Sequence, residues 1–497
     1  MWLIAIMVTM TAWSRVSLAG LLLCTLALGL FGIGRSLWLD EAWVANSILA
    51  PSLHQMFYYP DWLQTSPPSF LLLSRAAVHL VGLSSASLRF VPLTLALIAS
   101  ASMFALARRV LSLPFAVLAS ALIVFNPAFI EYSHSAKQYS GEVAGTVLIL
   151  LASVRYLESR SSRKLLWLIA AVVAGLTFAY TVAFLLPGLL AAIYFTNARN
   201  AALLGIAATL TLLALWAALI RFNTAPELRA FWAADADALY TPGLIAAVLL
   251  VLAISLRLLV SFRPGVRQWT QLICAAPCLL LALASVSGWY PATQRMRLWV
   301  LPCFVLVCII GAEDLFGTQR FGTLAVVLAL LFAAVNVRNQ IRDRRDLAEE
   351  DYAGAFQYLK DHIGPHDLVL IHAAAREGFR LYSAMLGWSG PPPVYGNTGW
   401  PCCARGKDAR PGQSTEAVVV RDVTSMIPRG FSGQIWLFYS TRPSHWKYVG
   451  LNEGNLWRKT AWERGCPPGA YMALKNLAVS AMECVAPAAA VPSASLR

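Results

Sequence analysis

Two adjacent carboxylates lie between tryptophans in the segment LWLDEAW, residues 37 to 43. Asp40 and Glu41 follow the first apolar block of the chain almost directly, so both are expected near a membrane surface. A carboxylate held there can act as a general base that takes a proton from a hydroxyl or an amine. The alternative interpretation is an aromatic belt with a solvated acidic turn.

Cationic side chains follow later in the chain at positions where lipid contact would not favour them. Arg89 opens an apolar block, and Arg295 and Arg297 lie in the short loop GWYPATQRMR. A planar guanidinium with several donors suits the oxygens of a phosphate. Arg89 could instead extend its head group to the membrane interface. The two later arginines run against the charge bias of the topology derived below, which favours an anionic ligand.

The segment NPAFIEYSHSAKQYSGE places several polar side chains between two apolar blocks. Ionisable groups at membrane depth are costly and usually functional, and Lys137 is the candidate for binding a lipid phosphate. Glu131, His134 and, in the later loop, Tyr290 are assigned as additional substrate contacts. An isolated histidine is more often a satisfied core residue, and this interpretation stays open for His134.

The composition is that of an integral membrane protein. Of 497 residues, 58% are hydrophobic and 13% are charged, whereas soluble proteins carry roughly a quarter charged residues. The apolar residues form blocks of about 17 to 22, close to the length that a spanning helix needs. The net charge of +14 resides mostly in short loops, where it sets orientation, so no nucleic-acid partner is expected.

The positive-inside rule predicts eleven spans and places the C-terminal residues on the outer face. The first span covers Val16 to Gly34, and the stretch 67–83, which opens with Pro67 and Pro68, is predicted to lie at the interface. The remaining predicted spans are 88–107, 114–131, 142–157, 165–181, 183–197, 200–220, 241–261, 268–287, 297–312 and 319–336. Residues 1–340 thus form a transmembrane module whose first outer loop is 35–87.

Residues 350–497 have the pattern of a small soluble α/β domain. Asp351 to His362 and Arg376 to Leu386 are predicted as helices, and Asp367 to His372 and Gln434 to Ser440 as strands. No glycine-rich phosphate loop follows either strand. This region has four cysteines: Cys402, Cys403, Cys466 and Cys484. Their even number favours disulfides in an oxidising compartment, and their spacing is not that of metal ligands. The spacing does not determine which cysteines pair.

The order of these motifs resembles that of glycosyltransferase family 39, the protein mannosyltransferase and aminoarabinose-transferase-like enzymes. The resemblance covers about residues 1 to 340 and rests on the acidic pair, the Pro-Pro helix, the arginine-initiated span, the segment 126–142 and the late tyrosine and arginine loop. The chain has Ser66 before the prolines, where eukaryotic protein mannosyltransferases have histidine. This departure argues against protein O-mannosylation in particular.

The resemblance implies a GT-C membrane enzyme that transfers a sugar from a polyprenyl phosphate to a lipid, glycan or protein acceptor on the outer face. It implies that the configuration inverts, with no nucleotide, cofactor or metal required. By resemblance, Asp40 is the catalytic acidic residue, with Glu41 beside it. The implied contacts to the donor phosphate are Arg89, Lys137, Tyr139, Arg295 and Arg297.

The implied location is the bacterial inner membrane, with residues 350–497 in the periplasm and membrane lipids as neighbours. A transporter or flippase for a lipid-linked or anionic substrate is the alternative function, because many spans with buried charges suit it too. Transporters usually show repeated halves and broken helices at the midplane. Neither feature is visible in the sequence, which favours the transferase.

Overall fold

The computed structural model describes residues 11–58, 66–221, 242–260, 264–287, 290, 295–342, 350–396, 415–441 and 453–485. The chain divides into two compact units. The first, which we call the helical unit, comprises residues 1–34 and 65–345. The second, the α/β unit, comprises residues 35–64 and 346–497.

Helices dominate the chain up to residue 342. In chain order they are α1 (Ala12–Gly32), α2 (Leu39–Ile48), α3 (Leu53–Phe57), α4 (Pro68–Val81), α5 (Ser85–Val110), α6 (Leu113–Val124), α7 (Pro127–Ser133), α8 (Tyr139–Ser159), α9 (Ser162–Phe178), α10 (Leu186–Tyr194), α11 (Ala198–Leu215), α12 (Pro242–Val260), α13 (Val266–Val286), α14 (Leu301–Phe316) and α15 (Thr318–Arg342). Short 3₁₀ helices cover 180–185 and 298–300, and a π-helical turn covers 216–220.

The prediction of a polytopic helical membrane protein is confirmed. Within the described residues, seven helices are long and apolar enough to cross a membrane, and a bent pair could form an eighth span. The seven are Ala12–Gly32, Ser85–Val110, Tyr139–Ser159, Ala198–Ile220, Val266–Val286, Leu298–Phe316 and Phe321–Arg342. Shorter apolar helices occupy 180–194 and 246–257, so the count of eleven stays a prediction.

The predicted span 114–131 is not one straight helix. It consists of α6 and α7, which meet at a bend of 60°. Pro127 disfavours helical geometry at Asn126 and cannot donate a backbone hydrogen bond. The side chain of Asn126 instead caps α7 by accepting from the backbone N–H of Ala128 at 3.0 Å. The Asn-Pro pair therefore ends one helix and begins the next.

Helix α4 is too short to cross a bilayer upright. Its 14 residues extend about 21 Å at 1.5 Å per residue, whereas the hydrocarbon core is about 30 Å thick. It begins at Pro68, directly after Pro67, where the missing N–H costs nothing. This length agrees with the predicted interfacial helix, although its depth in the membrane stays a prediction.

The α/β unit contains a five-stranded mixed sheet in the order β2-β1-β3-β5-β4. Strand β1 pairs in parallel with β2 and β3, whereas β5 runs antiparallel to β3 and β4. The elements are α16 (Tyr352–His362), β1 (Leu368–Ile371), a 3₁₀ helix (Ala373–Ala375), α17 (Arg376–Leu386), β2 (Val394–Tyr395), α18 (Thr415–Met426), β3 (Gly433–Ser440), α19 (Glu453–Glu463), β4 (Pro468–Leu474) and β5 (Leu477–Cys484).

The predicted α/β character of this unit is confirmed, with helices and strands within a residue of the expected bounds. The central strand β3 is buried on both faces: its alternate residues point to opposite sides, and Ile435 and Leu437 pack with Trp457 in one core. The strands of the β4–β5 hairpin were not predicted. Antiparallel pairing of β5 with β3 holds this hairpin in the sheet, and such a long-range pairing leaves little local signal.

A disulfide joins Cys466, just before β4, to Cys484 at the end of β5. The bond closes the β4–β5 hairpin at its open end. Cys402 and Cys403, also considered for disulfides, lie outside the described residues.

Replacing both Cys466 and Cys484 by serine is expected to destabilise the α/β unit. The cysteines are 18 residues apart, and a loop of this size corresponds to about 3 kcal/mol of lost stabilisation. Urea unfolding of the purified protein without reductant measures the difference. Wild-type protein treated with a thiol reductant is the matched control and should resemble the double mutant; a wild type indifferent to reductant would contradict the prediction.

Candidate active site

The first turn of α2 carries the acidic pair. Glu41 is fully buried, and its carboxylate accepts from the backbone N–H of Trp38 at 3.3 Å. It thereby satisfies one of the donors that a helix N-terminus leaves without an intrahelical partner. Asp40 is only half-buried. The geometry gives Glu41 a capping role, so Asp40 is the stronger candidate for a base.

The α/β unit holds the start of α2 from several sides. The buried carboxylate of Glu350 accepts from the backbone N–H of Leu39 at 2.8 Å. The phenol oxygen of Tyr382 accepts from the backbone N–H of Leu37 at 2.8 Å and lies 3.1 Å from the hydroxyl of Ser36. A carboxylate at a helix N-terminus also interacts favourably with the helix dipole. These contacts fix the backbone on which Asp40 sits.

A second anchor lies near the end of α2. Asn46 donates its amide to both the carboxylate of Glu377 at 2.8 Å and the backbone carbonyl of the same residue at 2.9 Å. Glu377 is completely buried, and two guanidiniums, those of Arg376 and Arg380, compensate its charge at 3.3 Å. Removing such a charge from water is tolerable only with these partners. Helix α2 is therefore attached to α17 as part of the α/β unit.

This grouping differs from the predicted domain boundary. The predicted outer loop 35–87 belonged to the transmembrane module, whereas residues 35–64 group with the C-terminal residues. The hydrogen bonds of Leu37, Leu39 and Asn46 with Tyr382, Glu350 and Glu377 bridge more than 300 residues of sequence. No periodicity or motif signals such contacts, so Glu350 and Tyr382 could not be predicted from the sequence.

In the helical unit, Arg89 lies at the start of α5 and is completely buried. Its Nη1 donates to the backbone carbonyl of Ile33 at 3.0 Å and more weakly to that of Gly32 at 3.4 Å. A cation at the C-terminal end of α1 satisfies exposed carbonyls and complements the helix dipole. Arg89 thus joins α1 to α5, and its predicted contact with a donor phosphate stays a prediction.

His134 packs against α1 at the same end. Its side chain is 1% exposed, and a Cβ added to Gly32 would lie 2.3 Å from its Cδ2 atom. Only glycine leaves room for the imidazole at this position. The imidazole is thus held against α1, and its assignment as a substrate contact stays a prediction. Glu131, whose backbone carbonyl accepts from Ser135 at 2.8 Å, belongs to the same turn.

The residues around Lys137 lie where α8 begins. Gln138 accepts from Ser66, directly before the two prolines, at 3.3 Å. Ser140 donates to the carbonyl of Pro92 in α5 at 3.0 Å, which joins the beginnings of α5 and α8. Tyr139 packs edge-on against Tyr132 with ring centroids 4.6 Å apart. Lys137 is half-buried beside these groups.

The loop before α14 approaches the same region. Tyr290 donates its hydroxyl to the carbonyl of Met296 at 3.0 Å, between Arg295 and Arg297. Burial, together with the nearby Glu142 and Tyr139, holds the pKa of Tyr290 well above its usual range, so its phenol stays protonated. Within the helical unit, one end of the bundle therefore gathers the predicted phosphate-binding residues Arg89, Lys137, Tyr139, Arg295 and Arg297.

One protein-family model matches part of the helical unit. Residues 65–225 match the family model described as dolichyl-phosphate-mannose-protein mannosyltransferase. The matched stretch begins at the Pro-Pro helix and includes Arg89 and the segment 126–142. No curated protein sequence matches the chain significantly.

Two solved structures share the fold along nearly the whole chain. ArnT from Cupriavidus metallidurans, in a structure with bound undecaprenyl phosphate, is 11% identical with a TM-score of 0.51, and the match covers 95% of this chain and 98% of that one. The chain has the GT-C fold. The Archaeoglobus fulgidus oligosaccharyltransferase tethered to an acceptor peptide with the NVT sequon is also 11% identical, with a TM-score of 0.52 and coverages of 94% and 74%.

The resemblance to GT-C glycosyltransferases that the motifs indicated is thereby confirmed. The GT-C fold and the family segment together support a membrane glycosyltransferase. Within this GT-C fold, Asp40 belongs to the α/β unit, and the basic residues belong to the helical unit. One polar residue of the quoted segment, Glu142, received no role from the sequence, although a carboxylate inside an apolar helix is itself a signal.

Proposed function

We propose that this protein is an inverting glycosyltransferase that moves a sugar from a polyprenyl phosphate to an acceptor on the outer face of the membrane. The observation that carries this proposal is the GT-C fold over nearly the whole chain, with an acidic residue on the first turn of the helix that follows the first span. The acceptor is a lipid, glycan or protein with a hydroxyl or an amine.

Support for the donor class comes from charge and from the matched structure. The matched ArnT structure contains undecaprenyl phosphate. One end of the helical unit carries Arg89, Lys137, Arg295 and Arg297, and arginines are well suited to phosphate oxygens. An anionic head group is therefore a fitting ligand for this end of the unit.

The reaction needs a base and a stabilised leaving group. Asp40 takes the proton of the acceptor as the acceptor oxygen or nitrogen attacks the anomeric carbon of the sugar. The bond from that carbon to the phosphate oxygen breaks, its electron pair leaves with the lipid phosphate, and the configuration inverts. The basic side chains stabilise the charge that develops on the phosphate. Since they supply this compensation, the mechanism invokes neither a nucleotide nor a metal.

The outer-face assignment has two supports. The disulfide between Cys466 and Cys484 fits an oxidising compartment such as the bacterial periplasm. The distribution of arginine and lysine between the apolar blocks places residues 350–497 outside by the positive-inside rule. Together they favour an inner-membrane protein whose α/β unit is periplasmic.

Direct turnover tests the proposed function. The purified protein in lipid nanodiscs is incubated with polyprenyl-phosphate sugars and candidate acceptors, and mass spectrometry follows the release of free polyprenyl phosphate. We expect release that depends on the acceptor, and a product whose anomeric configuration, measured by NMR, is opposite to that of the donor. Retained configuration would overturn the inverting mechanism; movement of intact donor across vesicle membranes without turnover would favour a flippase.

A further inference from the structure

Glu142 lies one turn into α8, inside a membrane-spanning helix. The residue is 5% exposed, and its Oε2 atom is buried with no hydrogen-bond partner among the described residues. A carboxyl group in this position is expensive, because lipid and packed side chains offer no replacement for water. Such groups are retained in membrane proteins where they bind a ligand or an ion.

Other buried polar atoms without a hydrogen-bond partner occur on this helix and on the elements that pack against it. Thr181, in the 3₁₀ helix 180–185, lies close to Glu142. Both 3₁₀ helices and α13 pack against α8. Among the described residues, each of these three elements carries one buried polar atom without a hydrogen-bond partner: Thr181 Oγ1 in the first 3₁₀ helix, Trp299 Nε1 in the second and Ser285 Oγ in α13. Thr146 Oγ1, in the next turn of α8, is a fourth. Buried polar groups are normally satisfied, so this concentration is unusual.

Aromatic rings adjoin the same place. Tyr290 lies close to both Glu142 and Trp299. Phe184 packs against Tyr290 and Trp299 with ring centroids 5.6 Å and 5.3 Å apart. Small-molecule sites typically combine a few polar groups with apolar surfaces. Here a carboxyl group can accept hydrogen bonds, hydroxyl groups and an indole N–H can donate them, and aromatic rings supply the apolar surface. The hydroxyl groups and apolar C–H faces of a sugar ring match this mixture.

We propose that Glu142, Thr181, Trp299 and Tyr290 form the subsite for the sugar ring of the lipid-linked donor. This proposal rests on the proposed function and specifies it further. Glu142 accepts a hydrogen bond from a sugar hydroxyl, while Thr181 and Trp299 donate to other ring oxygens. Tyr290 also lies near Tyr139, which belongs to the segment proposed to bind the phosphate. The phosphate and the sugar of one donor can therefore bind to neighbouring residues.

Comparison of two lipids separates recognition of the sugar from recognition of the phosphate. Equilibrium binding to the purified protein in nanodiscs is measured for a polyprenyl-phosphate hexose and for the same polyprenyl phosphate without the sugar. Glu142→Gln is expected to weaken binding of the glycosylated lipid roughly threefold to tenfold, as expected for the loss of a neutral hydrogen bond. Affinity for the bare lipid should remain within about twofold, a change equivalent to less than half of 1 kcal/mol.

Glu158→Gln is the matched control. This residue lies in the last turn of the same helix, where its carboxylate is partly exposed and pairs with Arg109, and its substitution should leave both affinities unchanged. Thr181→Val preserves side-chain shape and provides a second variant if Glu142→Gln unfolds. Thermal unfolding of each variant reports whether the fold persists.

The outcomes are distinct. Selective loss of affinity for the glycosylated lipid in either variant supports the subsite. Equal loss for both lipids, or no loss in folded variants, overturns it and leaves the proposed transferase standing. If the wild-type protein binds neither lipid, the donor class of the proposed function fails and the subsite fails with it.

Discussion

Asp40→Asn is expected to lower the rate of glycosyl transfer by on the order of 10²- to 10⁴-fold, the contribution typical of a general base. The substitution keeps the shape of the side chain but removes the group that accepts the acceptor's proton. Asp40 is half-buried in the first turn of α2, whereas its neighbour Glu41 is fully buried as a helix cap. We therefore expect the loss of activity to result from removing the Asp40 carboxylate, and to affect the chemical step.

The measurement is release of polyprenyl phosphate under saturating donor, with donor binding determined separately. Binding should remain close to that of the wild type, because the residues proposed to bind the phosphate lie in the helical unit and are unchanged. Asp361→Asn is a suitable control, because Asp361 is exposed on α16 and its carboxylate accepts from the side chain of Gln357 at 2.7 Å. Wild-type turnover in Asp40→Asn would exclude this residue as the base.

Glu350→Ala is expected to reduce both the stability of the α/β unit and the turnover number. The variant leaves the backbone N–H of Leu39 without its buried acceptor, which costs roughly 1–3 kcal/mol of unfolding free energy. The start of α2 then loses one of its attachments, and a displacement of about 1 Å in a reacting group can reduce a rate roughly 100-fold. The Michaelis constant for the donor should change little.

Urea unfolding and steady-state kinetics measure these two effects independently. Glu350→Gln retains an oxygen that can accept from Leu39 and should restore most of the turnover number. Glu483→Ala, at an exposed position of β5, controls for loss of a glutamate from the same unit. If Glu350→Ala loses stability while its turnover number equals that of the wild type, Glu350 has a structural role only and does not position Asp40.

Much of the helical unit follows from local sequence. Continuous apolar runs predicted α1, α5, α8 and α13 near their observed positions, because every residue of a spanning helix is selected for burial in lipid or protein. The bend between α6 and α7 has an equally local cause in Asn126 and Pro127. The Asn-Pro pair that causes the bend is visible in the sequence, but hydropathy alone predicted a single span over both helices.

In the α/β unit, α16, α17, β1 and β3 were recognisable from periodicity, whereas the β4–β5 hairpin was not. The hairpin depends on pairing with β3 and on the bond between Cys466 and Cys484. Spacing alone leaves the connectivity of cysteines open. Contacts between distant parts of the chain decided both features.

For the candidate active site, the sequence by itself determined which residue types are present and their order: the acidic pair after the first span, then Arg89, Lys137 and the late arginines. Only the tertiary structure separated the capping role of Glu41 from the half-buried position of Asp40, and only it attached α2 to Glu350 and Glu377. Similarly, it brought Trp299 near the region of Glu142 across more than 150 residues. Burial and hydrogen-bond partners are properties of the packed chain, and residue order does not contain them in any local pattern.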